Sequence, residues 1–323
     1  MTHSVLMDVD TGIDDALAII FAVKHPEIDV RGISCVAGNA PLESVVSNTL
    51  RILDVADAPD IPVAAGAVRP LIESARRASA FHGADGLANV GLPASDRRPE
   101  ADHAVDFLRD RLLSADEPQT LIALAPLTNI ALLLRTYPEV TQKIERIVFM
   151  GGSAKWGNAS AVAEFNIRHD PEAAHIVLNS GVPLTMYGLD VFEQISLDVA
   201  TIAALRRSDR ALDRTLGDLV GFQREGADGS LEVYRLIGDA GAVCALVAPD
   251  LFSFETWPVQ VELAPGLSRG QTLVDRRERS LAAFGDLDAE PWPEIEVAMD
   301  VSAAEVAGYY LETVLTGPLG SAD

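Results

Sequence analysis

The chain has 323 residues, a formal net charge of −23 and a 48% hydrophobic composition. This charge argues against a nucleic-acid backbone or an anionic membrane as the partner, because both attract basic surfaces. Cys35 and Cys244 lie in apolar runs, so we expect buried, reduced thiols. With no secretory pattern and no uninterrupted apolar run long enough to span a bilayer, we expect a soluble cytoplasmic protein, with 1–323 as a single domain.

Short β-rich runs alternate with helical patterns over the first two hundred residues. The predicted strands are Ser4–Asp8, Val30–Val36, Ile61–Ala64, Thr120–Leu124, Arg146–Met150 and Pro183–Tyr187. The predicted helices are 14–24, 43–56, 101–113, 127–136, 171–179 and 198–207. This alternation predicts an α/β fold with a mainly parallel central sheet flanked by helices. In such folds the functional site lies at the C-terminal edge of the sheet.

The remaining segments are less regular. We predict a long loop at Ala75–Arg98, and Asp170 is placed before Pro171 as the N-cap of a helix. Residues 211–248 look helical, with a glycine-containing break near Gly226–Gly229. Peripheral strands are predicted at Val259–Leu263, Gln271–Val274 and Glu294–Met299, followed by a helix at 302–315.

Four aspartates lie within eight residues near the N-terminus: Asp8, Asp10, Asp14 and Asp15. The first predicted strand ends at this point and the first predicted helix begins here. Aspartates favour the first turn of a helix, which accounts for one of the last two but not for all four. Several carboxylates converging at a strand end form an all-oxygen site suited to a hard divalent cation. The sequence therefore predicts a metal or ligand site in this segment.

Two known motifs overlap at this point. The string DVDT resembles the signature of haloacid-dehalogenase phosphatases, which also need a later lysine, and the three lysines of this chain are not convincingly placed at strand ends. The longer string DVDTGIDDALA resembles the N-terminal signature of the inosine–uridine-preferring nucleoside hydrolase family. The resemblance continues in order through VAGNAPLE (36–43), HGADGLAN (82–89), ALAPLTNIA (123–131), FMGGSAKWGN (149–158), AEFNIRHDPEAA (163–174) and GLDV (188–191).

This resemblance implies Ca²⁺-dependent hydrolysis of the N-glycosidic bond of purine or pyrimidine ribonucleosides, by a homodimer or homotetramer. By analogy with the family, Asp10 is both a metal ligand and the general base that activates water. Asp15 and the backbone oxygen of Leu124 are further ligands. Asp14 binds a ribose hydroxyl, and Asp8 supports the cluster from behind. The same analogy assigns contacts with the nucleoside to Asn39, Met150, Asn158, Glu164 and Asn166.

The family pattern breaks near the C-terminus. Its His-Asp-Pro motif, in which the histidine can protonate the departing base, corresponds to Gly238, Asp239 and Ala240 in IGDAGAVCALVAPDLF. Asp239 fits the last metal ligand, but glycine cannot donate a proton. Three alternatives remain open. A purine could be activated by stacking on aromatic residues, for which the candidates are Phe81, Trp156, Phe222 and Tyr234. His82 could contact the base or donate the proton, or merely bond its own loop. The chain could also bind a ribosyl ligand with little turnover.

Overall fold

The computed structural model describes residues 2–75, 82–225, 230–277 and 291–316. Eleven strands lie in these residues, nine of them in one sheet with the order β10-β9-β11-β6-β5-β4-β1-β2-β3. The strands are β1 His3–Val9, β2 Ile28–Cys35, β3 Val63–Ala65, β4 Gln119–Ala123, β5 Ile144–Met150, β6 Leu184–Tyr187, β7 Gln223–Glu225, β8 Leu231–Val233, β9 Phe252–Val261, β10 Thr272–Val274 and β11 Glu294–Val301.

The sheet is parallel from β3 through β11, and only β9 and β10 run antiparallel to their neighbours. Strand β1 lies between β2 and β4, so the chain proceeds in one direction through β2 and β3 and then in the other through β4, β5 and β6. Ligands of open α/β sheets bind where the strand order reverses in this way, beyond the carboxyl ends of the strands. The aspartate-rich segment after β1 therefore lies at the switch point of the sheet, the place where the strand order reverses.

Helices cover both faces of the sheet. They are α1 Ile13–Lys24, α2 Leu42–Val55, α3 Ala104–Ser114, α4 Thr128–Thr136, α5 Phe165–His169, α6 Pro171–Leu178, α7 Leu189–Phe192, α8 Val199–Arg206, α9 Ala211–Val220, α10 Ala240–Val247 and α11 Ala303–Thr316, with 3-10 turns at Pro138–Lys143 and Pro249–Leu251. Helix α1 is buried from Ile13 to Ala22 and packs against α2, α10 and α11. Its nearly continuous apolar sequence therefore reflects burial on all sides.

The predicted α/β architecture is confirmed, and the predicted strands and helices up to residue 207 are found with small shifts in their ends. Both cysteines are buried and free. Within the described ranges, no helix is both long and apolar enough to cross a membrane. Residues 82–98, the described part of the predicted loop Ala75–Arg98, hold turns and no strand.

The prediction was wrong at three places in the C-terminal third. Residues 211–220 and 240–247 are helical as predicted, but the predicted helix does not continue between them, because β7 and β8 pair there as antiparallel strands. Strand β9 begins seven residues before the predicted start at Val259, with Pro258 inside it. Strand β11 is not peripheral, since it lies inside the main sheet and pairs in parallel with β6. The break predicted near Gly226–Gly229 lies outside the described residues.

Candidate functional site

The carboxyl ends of β1 and β2 bring two of the predicted residues together. Asp10, fully buried, follows β1, and Asn39 follows β2. The backbone N–H of Asn39 donates to Asp10 Oδ2 at 2.6 Å, and its Nδ2 donates to Asp10 Oδ1 at 3.1 Å. Asn39 therefore holds the Asp10 carboxylate directly. Its contact with the nucleoside stays a prediction.

Asp15 closes the turn between β1 and α1. Its carboxylate accepts from the backbone N–H of Asp10 at 3.1 Å and of Gly12 at 3.0 Å. Asn39 Nδ2 adds a third bond to it at 3.3 Å. These bonds satisfy N–H groups at the start of α1, which is the capping role that the sequence allowed for one aspartate. The same bonds fix the Asp15 side chain beside Asp10.

Asp8 lies behind these two residues, inside β1. Its Oδ1 accepts from Ser34 Oγ at 2.6 Å and from Asn129 Nδ2 at 2.8 Å. Its Oδ2 is buried and has no hydrogen-bond partner among the described residues. Burial raises the pKa of Asp8 to about 7, and the charge of Asp15 adds to this. The structure thus has Asp8 next to the cluster, as the sequence predicted, and shows its two partners, which the sequence did not reveal.

A second wall of the site comes from the segment before α10. Asp14, in the first turn of α1, accepts a hydrogen bond from the hydroxyl of Tyr234. Gly238 lies against the same carboxylate, since a Cβ built on it would be 2.2 Å from Asp14 Oδ1. Asp239 follows and is 4% exposed. It precedes α10, yet its side chain makes no capping bond. Two regions 220 residues apart in sequence therefore meet at Asp14.

Asn166 links the ends of β4 and β5. Its Nδ2 donates to the Leu124 carbonyl at 2.9 Å, to the Met150 carbonyl at 3.1 Å and to Met150 Sδ at 3.3 Å. The Leu124 carbonyl that was predicted as a metal ligand thus already accepts one bond. A carbonyl oxygen has two lone pairs, so a second contact remains chemically available to it.

Glu164 and Asn158 organise the loop that carries Asn166. Glu164 is buried and caps α5, accepting from the backbone N–H groups of Gly152, Asn166 and Ile167 at 3.0, 2.8 and 3.0 Å. Burial raises its pKa. Asn158 is exposed, and its Oδ1 accepts from the N–H of Phe165 at 2.8 Å. In this conformation both side chains are engaged by the backbone of their own loop.

His82 lies against the start of α1. Its Nδ1 accepts from the backbone N–H of Ile13 at 3.2 Å, and the ring is 7% exposed. With Nδ1 as acceptor, the neutral ring carries its hydrogen on Nε2. The bond is not one within the histidine's own loop, as one of the two sequence interpretations had it, but joins that loop to α1 and places the ring next to Gly12 and Asn39.

The described candidate aromatic residues differ in their exposure and in their partners. Trp156 is 41% exposed, and its Nε1 donates to Glu193 at 3.0 Å. Phe222 is half-buried, and its carbonyl accepts from the N–H of Tyr234 at 2.7 Å. Phe81 lies outside the described residues. Of these candidates, Tyr234 forms a hydrogen bond with a carboxylate of the site, that of Asp14. The sequence did not predict this contact, because no local pattern near residue 234 indicates which distant residue it will contact.

The electrostatics of the cluster are those of buried carboxylates that repel one another. Burial raises the pKa of Asp10 and of Asp239 well above the usual aspartate range, and neighbouring carboxylates raise both further. Burial also raises the pKa of Asp15, to about 6. No lysine or arginine in the described part of the chain forms an ion pair with these three groups. Such an arrangement favours either bound protons or a compensating cation.

The donor chemistry suits a hard cation, because every predicted ligand is an oxygen. Asp8 Oδ2 has no hydrogen-bond partner among the described residues, and the side chain of Asp239 makes no capping bond to α10. Among the described residues, however, no group of three or more histidine, cysteine or acidic side chains is arranged as a metal site. Asp10 and Asp15 are instead turned toward backbone N–H groups and Asn39.

Comparisons with known proteins agree with this fold. Residues 5–307 match the family described as inosine-uridine preferring nucleoside hydrolase. A pyrimidine-specific ribonucleoside hydrolase RihA of Shewanella sp. (strain MR-4) is 40% identical, over 85% of this chain and 87% of the relative. A non-specific ribonucleoside hydrolase RihC of Salmonella schwarzengrund is 42% identical, over 84% of this chain and 87% of that protein. The solved structure of a plant nucleoside hydrolase, PpNRh1, superposes with a TM-score of 0.87 at 32% identity, covering 97% and 99% of the two chains.

The chain therefore belongs to the inosine–uridine-preferring nucleoside hydrolase family. The resemblance seen in the N-terminal motifs is confirmed and extends through the region after residue 200, where the motifs weaken. The protein is a hydrolase of N-glycosyl compounds, as its relatives are.

Proposed function

We propose that this protein hydrolyses the N-glycosidic bond of ribonucleosides in a Ca²⁺-dependent reaction, releasing a free base and ribose. The observation that carries the proposal is the buried carboxylate cluster at the switch point of the sheet, in a chain that belongs to this hydrolase family. Family relatives with pyrimidine-specific and with non-specific names are about equally similar to it, so the proposal covers both classes of base.

In this proposal Asp10, Asp15, Asp239 and the Leu124 carbonyl hold the cation. A bound Ca²⁺ supplies positive charge that lowers the pKa of an adjacent water. Asp10 then accepts a proton from the attacking water, whose oxygen bonds to the anomeric carbon as the bond to the base nitrogen breaks. Asn39 holds the Asp10 carboxylate through two bonds and so keeps it oriented for this transfer.

The ribose is bound by the surrounding residues in this proposal. Asp14 accepts from one hydroxyl, while Glu164 and Asn166 contact the others with help from Asn158, and Met150 packs beneath the sugar. Such contacts stabilise an oxocarbenium-like transition state when they strengthen as charge develops on the ring. Asp8 supports Asp10 and Asp15 from inside β1, through its bonds with Ser34 and Asn129.

The departing base needs a proton from a group other than residue 238. His82 is the proposed donor or base contact: the Nε2–H of its neutral ring can donate a hydrogen bond to the base, and the ring can give up this proton once Nδ1 releases the Ile13 N–H and takes up a proton from solvent. Replacing His82 with alanine should then slow the cleavage of nucleosides by about 10²- to 10⁴-fold, the usual contribution of a general acid. An unchanged rate would remove His82 from this role.

The protein is further proposed to act as a cytoplasmic homodimer or homotetramer built from single-domain subunits.

The test is a reducing-sugar assay with purine and pyrimidine ribonucleosides, run with Ca²⁺ and with a chelator. We expect turnover with Ca²⁺ and its loss with the chelator. Asp10→Asn should reduce kcat by at least 10³-fold while the circular dichroism spectrum stays native, because the amide cannot accept the proton. Folded, Ca²⁺-loaded protein that cleaves no riboside would contradict the proposal and favour a ribosyl-binding protein.

A further inference from the structure

Tyr234 and Asp14 form a hydrogen bond between two nearly buried side chains. Each is 8% exposed, and the tyrosine hydroxyl donates to Asp14 Oδ1. A hydrogen bond to a charged acceptor is stronger than one between neutral groups, and holding both partners away from water strengthens it further. The bond therefore restrains the side chain that the proposed function assigns to a ribose hydroxyl.

The main chain on both sides of Tyr234 is fixed. Its own N–H donates to the Phe222 carbonyl at 2.7 Å. The next residues form an antiparallel bridge, in which the Arg235 carbonyl accepts from the N–H of Leu197 at 2.8 Å and the N–H of Ile237 donates to the Ile195 carbonyl at 3.2 Å. The backbone around Tyr234 is therefore hydrogen-bonded to Phe222 and to residues 195–197, and these bonds hold the tyrosine ring next to Asp14.

The glycine at 238 is what gives the tyrosine hydroxyl access to this carboxylate. Gly238 has a φ of 55°, in the left-handed region, and a Cβ there would overlap Asp14. The turn is held by Tyr187, whose hydroxyl donates to the Gly238 carbonyl at 3.2 Å. A side chain at 238 and the hydroxyl of Tyr234 therefore compete for the same side of Asp14, and in this chain the tyrosine occupies it.

We propose that Tyr234 is a positioning residue that orients the Asp14 carboxylate for the ribose hydroxyl. The residue acts through Asp14 and does not donate a proton to the leaving base. This inference rests on the proposed hydrolase function, because it needs a ribose to be bound by Asp14.

The experiment compares Tyr234→Phe with the wild type on two substrates: a ribonucleoside, whose base must be protonated, and p-nitrophenyl β-D-ribofuranoside, whose phenolate leaves without a proton. Loss of a bond to a charged group predicts a fall in kcat/KM of about 10- to 100-fold. Because both substrates carry the same ribose, the fold-loss should be equal for the two. The control is Tyr137→Phe, which removes the same atom from a Tyr137–Asp106 bond of 2.6 Å at the opposite edge of the sheet and should leave both rates within twofold.

A double mutant separates positioning from general stabilisation of the fold. In an Asp14→Ala background the hydroxyl has no carboxylate to orient, so adding Tyr234→Phe should change kcat/KM for the nitrophenyl riboside by less than twofold. A loss confined to the ribonucleoside would overturn the inference in favour of proton donation by Tyr234. A full further loss in the Asp14→Ala background, or no loss in Tyr234→Phe alone, would also overturn it. A wild type inactive on both substrates would instead overturn the proposed function.

Discussion

Gly238 occupies a position where the resemblance to the family leads one to expect histidine, and its backbone conformation opposes any larger residue there. With a φ of 55°, an L-residue at this position is strained, and its Cβ would meet the Asp14 carboxylate at 2.2 Å. Restoring the family's histidine would therefore displace Asp14 and Tyr234 before its imidazole could reach a base.

We predict that Gly238→Ala lowers kcat/KM for ribonucleosides by more than tenfold and that Gly238→His does not raise it. The matched control is Gly181→Ala. Gly181 has a φ of 78° but no atom within 4 Å of its built Cβ, and it lies at the far edge of the sheet. Both alanine variants should lose about 1–2 kcal/mol of unfolding free energy through strain, measured in urea, but only Gly238→Ala should lose activity. Equal activity in the two would contradict the clash with Asp14.

At the scale of residues, the sequence predicted that the aspartates after β1 lie close together, but it did not predict their hydrogen-bond partners. The strand end and helix start around DVDTGIDD are local patterns, so Asp10 and Asp15 could be assigned to one turn from the sequence. Asn129, which bonds Asp8, and Tyr234, which bonds Asp14, lie 121 and 220 residues away from these aspartates along the chain. Contacts between residues so far apart in sequence depend on the whole fold, so local sequence patterns do not predict them.

At the scale of elements, helix α6 shows how one carboxylate joins several segments. Asp170 is fully buried and caps α6 by accepting from the N–H of Ala173 at 3.1 Å, as its place before Pro171 predicted. It also accepts from Thr128 Oγ1 at 2.7 Å and from the N–H of Leu71 at 2.9 Å. The residue therefore connects the start of α6 with α4 and with the loop after β3.

We predict that Asp170→Ala lowers the free energy of unfolding by about 2–4 kcal/mol, because it removes a cap and leaves two further buried donors without an acceptor. Chemical denaturation of the metal-loaded protein measures this. The control is Asp198→Ala at the exposed N-cap of α8, where the carboxylate bonds only Thr201 among the described residues. Its loss should be clearly smaller. Equal losses would show that the buried bonds of Asp170 contribute no net stability.

Each element that the sequence mispredicted has its own physical reason. In the hairpin, β8 is exposed along its whole length, so it carries no alternation between buried and exposed positions that would mark a strand. In β9, Pro258 interrupts the pattern, yet it is accommodated beyond Val259, where the pairing with β10 ends. Strand β11 begins at Glu294 as predicted, but its place beside β6 is a property of the sheet order, which a local strand pattern does not contain.

For the whole molecule, the site is a consequence of topology. The chain leaves β1 in one direction and later returns to its other side, so the loops after β1, β2, β4 and β5 all lie at the carboxyl edge of the sheet. The C-terminal third then adds Asp239 and Tyr234 from the opposite wall. The fold thus collects acidic groups whose repulsion opposes folding unless protons or a cation neutralise them.

This repulsion predicts that Ca²⁺ stabilises the whole protein, independently of turnover. Adding Ca²⁺ at a hundred times its dissociation constant to chelator-treated protein should contribute about 2.7 kcal/mol, seen as a rise of several degrees in Tm. Asp239→Asn should reduce this rise. Asp213→Asn, at a buried aspartate that bonds Ser208 on the outer helices, should retain it. If Ca²⁺ does not raise the Tm of the wild-type protein, the proposal that this site binds Ca²⁺ is contradicted.

The size of that rise should depend on pH, with a sign fixed by the raised pKa values. Burial raises the pKa of Asp15 to about 6, so in the metal-free protein its proton stabilises the fold at pH 4, and this stabilisation is lost as the pH rises through about 6. Ca²⁺ binds the deprotonated carboxylate, and protons compete with it at low pH. Thermal melts should therefore show a larger Ca²⁺-induced rise in Tm at pH 8 than at pH 5, while the metal-free protein becomes less stable across the same interval. A rise that is equal at both pH values would mean that the cation binds away from these buried carboxylates.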